Sequence, residues 1–252
     1  MEYNNYLPCR GVIILYEVAP MIPKPVVDYR KFRPRLLQSP EFSYLKLLLF
    51  WPVFGLLFAL AERGGMPRTY TPVQCGLDNL IPFCEWFLIP YLFWFVFIAG
   101  MLLYGLLWDT RSFRRMMHFT IFTYGVTLVI YFLFPTCQLL RPAVFPRDNL
   151  LTRFIAGFYQ FDTNTNVCPS LHVCGAIAVV AGAWDSRRFS TTGWRIAFAV
   201  TAALICASTV FMKQHSVLDV AAGLAVCVPG WLFSSWMVRR REKAAETDGN
   251  FH

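Results

Sequence analysis

Cys168-Pro169-Ser170-Leu171-His172 and Lys213-Gln214-His215-Ser216-Val217-Leu218-Asp219 are the two stretches on which the reading of this chain turns. Each carries one of its four histidines, and each lies where a long apolar run meets a polar edge. His215 and Asp219 are spaced so that on a helix they share one face. A carboxylate there can hold one imidazole nitrogen and leave the other free to attack or to accept a proton. A second histidine nearby can serve as the acid. That set is the minimum for covalent phosphoryl transfer through a phosphohistidine.

Working outward, the apolar runs dominate. Of 252 residues, 56% are hydrophobic and 15% are charged, with a mean hydropathy of +0.46. A soluble domain of this size would carry more charge, so an integral membrane protein is expected. Six apolar runs stand out: 47–61, 86–108 (broken by Pro90), 116–134, 167–184, 196–212 and 220–238. They predict an all-α fold, a six-transmembrane-helix bundle over residues 43–238. A basic, proline-rich leader, 1–42, would lie on the membrane surface, and a basic tail, 239–252, would follow the bundle. No secretory signal is read at the start, since the run Gly11–Tyr16 is short and Glu17 and Pro20 interrupt it.

Six spans put both termini on one side. That side holds 16 Lys and Arg, from the leader, Arg111–Arg115, Arg187–Arg195 and Arg239–Lys243. The other holds 6: Arg63, Arg68, Arg141, Arg147, Arg153 and Lys213. The positive-inside rule then places both termini in the cytoplasm, and the net charge of +8 becomes a topology signal, with no nucleic-acid partner implied. The alternation of spans brings Arg141, Ser170, His172, Lys213, His215 and Asp219 to the outer face.

Eight cysteines include no Cys-x-x-Cys pair, so neither a zinc nor a redox site is expected. Cys137 and Cys168 bracket one polar loop and are the pair that a disulfide would join. Asp162-Thr163-Asn164-Thr165-Asn166 opens like a calcium loop but lacks its glycine and its last glutamate, so a turn built from Asx hydrogen bonds is expected instead. Asp78 and Glu85 would share a helix face at the outer edge, pairing with Arg141 or Lys213 or capping the second span. His118 reads as a packing residue. No metal and no cofactor are expected, and the oligomeric state is open.

Pro169-Ser170-Leu171-His172 followed by His215-x-x-x-Asp219 resembles the type 2 phosphatidic acid phosphatase superfamily, over roughly residues 47–238. The resemblance implies a six-helix membrane enzyme with His215 as nucleophile, Asp219 orienting it, His172 protonating the leaving alcohol and Ser170 donating to phosphate oxygens. Two of the family's phosphate-binding cations are absent. Arg141-Pro142 is present, but the position of the preceding lysine holds Phe134. The Ser-Arg of the third motif is Ser208-Thr209 here, with Ser208 a further candidate. Arg141 and Lys213 are the substitutes expected to meet the phosphate. The expected activity is hydrolysis of a lipid phosphomonoester or diphosphate, such as phosphatidate or a polyprenyl diphosphate. The alternatives are transfer of a phosphorylated head group to another lipid alcohol, as in inositol phosphorylceramide or sphingomyelin synthases, and a non-catalytic lipid-phosphate carrier.

Overall fold

The computed structural model describes residues 25–63 and 69–249. Cys9, Arg10, Lys24 and Arg68, and with them most of the expected leader, lie outside the described residues, as do 250–252. The described chain is helical: α1 (Phe50–Arg63), α2 (Gly76–Leu80), α3 (Leu88–Trp108), α4 (Thr110–Leu133), α5 (Leu150–Phe161), α6 (Leu171–Asp185), α7 (Thr192–Phe211) and α8 (Val217–Gly249). Two-residue strands, β1 (Thr71–Pro72) and β2 (Thr136–Cys137), pair in parallel.

Among the described residues, five segments are long and apolar enough to cross a membrane: Ser43–Arg63, Glu85–Trp108, Thr110–Leu133, Thr192–Phe211 and Val217–Ala244. The run expected as the fourth span forms α6, a helix of 15 residues. At 1.5 Å per residue it is about 22 Å long, short of the roughly 30 Å of hydrocarbon. Residues 167–170 stay non-helical, and Pro169 bars helical geometry in the residue before it.

Three other boundaries depart from the sequence reading. Pro90 does not break α3, because it sits in the first turn, where no intrahelical N–H is needed. The third span starts at Thr110, so Arg114 and Arg115 lie within a helix. Arg115 is buried, with its guanidinium over the Trp231 ring at 4.9 Å and Asp185 at 3.7 Å. The leader's last part is no loose surface strand, since Phe42 and Tyr44 are buried against Phe113 and Met117 of α4.

α4 is the hub, packing on α1, α3, α6 and α8. Half of its apolar window is buried (50%), against 17–28% for the other four spans. α6 is the second inner helix. Its glycines and alanines let neighbours approach closely, which is how helices gain contact in a lipid environment. A Cβ on Gly175 would lie 2.6 Å from Tyr124 Oη and 2.8 Å from Trp94 Nε1. Ser112 Oγ donates to the Gly182 carbonyl at 2.7 Å, tying α4 to α6. The outer faces carry Leu56, Phe95, Val200 and Leu232, all exposed, as a surface meant for lipid requires.

Candidate active site

The C-terminal ends of α1, α4 and α7 and the N-terminal ends of α6 and α8 meet at one end of the bundle. Because α6 is short, the stretch 162–170 before it runs as irregular chain among the helices. Such backbone is tolerated at depth only when its polar groups find protein partners. They do. Asn166 N–H donates to Thr136 O at 2.6 Å, and Val167 and Cys168 N–H donate to Thr136 Oγ1 at 3.2 and 3.1 Å. Tyr131 Oη donates to Pro169 O at 2.7 Å. Glu62 of α1 accepts from the Thr163 hydroxyl, from Thr165 Oγ1 at 2.9 Å and from Asn166 Nδ2 at 2.5 Å. The Asp162–Asn166 stretch is therefore pinned from other elements and is not a self-contained Asx turn.

His215 stands just before α8. The turn that carries it closes on Thr209 O, which accepts from Gln214 and His215 N–H at 2.9 and 3.1 Å. His215 Nδ1 lies 3.2 Å from Asp219 Oδ2, which also accepts Ser216 N–H at 2.9 Å. Asp219 is fully buried. With Nδ1 held, Nε2 is the nitrogen left for chemistry. Ser170 N–H donates to Asp219 O at 3.1 Å, which docks the start of α6 on the start of α8.

His172, on the first turn of α6, lies between two aromatic rings. The centroids of Tyr91 and Trp94 are each 4.5 Å from its own, and Trp94 Nε1 donates to the His172 carbonyl at 3.0 Å. The His172 and His215 rings meet edge to face, with centroids 5.5 Å apart and planes at 67°. Both line a cavity of ≈ 60 Å³ together with Asp162, Gln214, Tyr131 and Phe58. Among the described residues, His172 Nε2, Ser170 Oγ and Asp219 Oδ1 are buried without a hydrogen-bond partner. Ser170 is the N-cap of α6 yet makes no capping hydrogen bond with its side chain. The first-turn N–H groups of that helix thus receive no side-chain cap, and Leu171 and His172 of that turn line the cavity.

The structure brings His172, Ser170, His215 and Asp219 together. It places the expected cations elsewhere. Lys213 is buried, and its ammonium donates to Asp78 O at 2.7 Å and Ile81 O at 2.5 Å, beyond the cavity wall. Arg141 donates to the carbonyls of Tyr159, Asp162 and Thr163 and to Gln214 Oε1, with its guanidinium 4.4 Å over the Tyr159 ring. It backs the cavity through Gln214 and does not line it. Ser208 Oγ donates back along α7 to Ile205 O at 2.6 Å.

Asp78 and Glu85 do not share a helix face, because α2 ends at Leu80. Glu85 pairs with Arg147 at 2.7 Å. Asp78 caps α8: it accepts from Ser216 Oγ at 2.6 Å and from Val217 N–H at 2.8 Å. Burial pushes the Asp78 pKa up, but these donors and Cys75 outweigh it and hold the carboxyl below its usual range. Cys137 and Cys168 are both free thiols.

Asp162 is the neighbour that the sequence reading passed over. Its Oδ2 accepts from Tyr91 Oη at 2.9 Å and from Gln214 Nε2 at 3.0 Å, so it links the ring packed against His172 to the residue beside His215. Burial raises its pKa, with Tyr91, His215 and Arg141 opposing the rise. Only its place at the head of a polar stretch leading into Pro169-Ser170-Leu171-His172 hinted at this. Nothing in the sequence pointed to Tyr91, Trp94 or Glu62.

No family profile, no characterised protein and no solved structure matches this chain. The chemistry must therefore be argued from the site. An imidazole with one nitrogen held by a buried carboxylate, a second imidazole beside it in the lining of a small cavity and an uncapped helix N-terminus can attack, protonate and neutralise an anion. Among the described residues no group of His, Cys, Asp and Glu is arranged to hold a metal ion.

Proposed function

We propose that this protein is a membrane lipid phosphatase that works through a phosphohistidine, as its motifs' resemblance to the type 2 phosphatidic acid phosphatase superfamily implies. The observation that carries the reading is the His215–Asp219 hydrogen bond, with His172 edge to face beside His215 in the lining of the same cavity. His215 Nε2 attacks phosphorus, the P–O bond to the lipid breaks, and His172 gives its proton to the leaving alkoxide. Water then attacks phosphorus, losing a proton to His172, the P–N bond breaks, and phosphate leaves with His215 restored. Charge developing on the phosphoryl oxygens meets the uncapped N-terminus of α6 and Ser170 Oγ. In this reading Arg141 and Lys213 hold the walls. α6 and its flanking chain complete a sixth crossing, both termini lie in the cytoplasm, and the site faces outward.

A second reading, transfer of a phosphorylated head group to a lipid alcohol, draws on one observation. A neighbouring cavity of ≈ 190 Å³, lined by Glu62, Arg63 and Phe161, shares Phe58, Asp162 and Thr163 with the first and gives room for an acceptor.

The test offers purified protein a panel of lipid phosphates and diphosphates, scoring both free phosphate and new phospholipid. His215→Ala should abolish turnover while substrate still binds, and wild-type protein given a labelled substrate should trap label on His215 after rapid denaturation. Near-normal turnover by His215→Ala would end the proposal. Binding without turnover by wild type would favour a carrier.

A further inference from the structure

We propose that the end of the bundle away from the histidines carries a second site, for the phosphate-bearing head group of an anionic phospholipid. A cavity of ≈ 270 Å³ lies there between the first turns of α4 and the later turns of α8. Arg111, Arg114 and His118 line it from α4, and Arg241 and Glu242 from α8. Three guanidinium groups thus converge with one carboxylate, which is already engaged: Glu242 pairs with Arg111 at 2.8 Å on the rim. Among the described residues the other two, Arg114 and Arg241, form no ion pair with a carboxylate.

The disposition of those two argues for a bound anion. Arg114 and Arg241 lie within coulombic reach of each other and of His118, so the cluster repels itself as it stands. The Arg114 guanidinium sits over the Tyr44 ring at 5.2 Å, which fixes it, and its Nε is buried with no hydrogen-bond partner among the described residues. Arg241 Nη2 donates to Ser43 Oγ at 2.6 Å, the one side-chain hydrogen bond it makes among the described residues. A phosphodiester would receive guanidinium hydrogen bonds from both sides and cancel the repulsion. Pro40, Met237 and Val238 give the cavity an apolar side. A lipid, with its phosphate joined to acyl chains, fits such a lining at the end of two membrane-length helices better than a free ion does. This is the arrangement by which basic pockets between spans take anionic head groups. The inference stands apart from any chemistry at His215.

The full chain, purified and placed in phosphatidylcholine nanodiscs, is titrated with phosphatidylglycerol, and native mass spectrometry counts the lipids retained. Wild type should retain one phosphatidylglycerol in preference to phosphatidylcholine. Arg114→Gln with Arg241→Gln should weaken that site about 25-fold, at about fivefold per arginine. Arg241→Gln alone, on the surface and away from Tyr44, should cost about fivefold without disturbing the fold. Arg239→Gln with Arg240→Gln removes the same charge from a face that lines a different pocket and should leave the site intact. Equal losses in the two double variants, or no preference in wild type, would overturn the site in favour of a diffuse surface potential. Displacement of the lipid by millimolar inorganic phosphate would overturn the lipid assignment and leave a free-anion site.

Discussion

Lys213 separates a phosphate-binding role from a structural one, and the structure gives the size of the expected effect. Its ammonium holds two carbonyls, Asp78 O at 2.7 Å and Ile81 O at 2.5 Å, and so ties α2 and the turn after it to the loop that carries His215. Lys213→Met keeps most of the stem and removes both bonds. A hydrogen bond to a charged group contributes about 1.5–3 kcal/mol, and water can reach part of the gap, so the loss should be about 2–4 kcal/mol. For a chain of this size that is roughly 5–15 °C in the unfolding midpoint. The backbone supplies an internal control. Lys213 has φ 54, a left-handed conformation that costs a side chain about 1 kcal/mol and glycine almost nothing. Lys213→Gly relieves that cost but also removes the buried stem, at about 0.8 kcal/mol per methylene, so it should unfold earlier than Lys213→Met although both lack the ammonium. Unfolding followed by tryptophan fluorescence at one scan rate measures this, and orthovanadate inhibition of the folded protein measures transition-state affinity. The reasoning fails if Lys213→Met keeps wild-type stability while vanadate binds tenfold worse or more, since the ammonium would then reach the phosphate.

Other outcomes follow from single contacts. Burial raises the Asp162 pKa above 3.8, so its ionisation is harder folded than unfolded, and the stability of wild type should fall as pH rises from about 4 through that raised value. Asp162→Asn should lack that decline, and unfolding midpoints running parallel for the two proteins across the window would refute it. Gly175→Ala puts a methyl group 2.8 Å from Trp94 Nε1, the group that holds the His172 carbonyl, and should lower turnover about tenfold to a hundredfold, with unchanged turnover in folded protein counting against the stacked geometry. Val144→Cys, at a fully open position near Arg147, should react with an impermeant thiol reagent in intact cells once accessible native cysteines are replaced. Labelling only after the membrane is broken would reverse the proposed topology.

The helices were legible because long apolar runs leave little choice in lipid: each backbone N–H and C=O must pair within its own segment. His215 and Asp219 were legible because a spacing of four is a local property of a helix. Helix ends were less so. Arg114 and Arg115 read as loop charges, but aromatic rings and Asp185 receive them inside the bundle, and no local pattern announces partners from α8. The length of α6 was misjudged for a related reason. Val167 to Trp184 is apolar throughout most of its length, yet its first residues are held as irregular chain by Thr136, Glu62 and Tyr131 from distant positions.

The direction of the cations was never in the sequence. Lys213 and Arg141 flank the motif histidines in the chain, and proximity along the chain made both look like phosphate ligands. A long flexible side chain goes where unpaired acceptors lie, and in this fold those are the carbonyls in and just after α2 and just after α5. The sequence by itself determined that the chain is helical, that its helices suit a membrane and that one carboxylate can hold one imidazole. The tertiary structure alone decided that the two imidazoles meet edge to face, that Asp162 bonds both Tyr91, which packs on His172, and Gln214, and that Trp94 holds the His172 carbonyl. Those are contacts between segments about 40 to 80 residues apart, and only the closing of the bundle sets their distances.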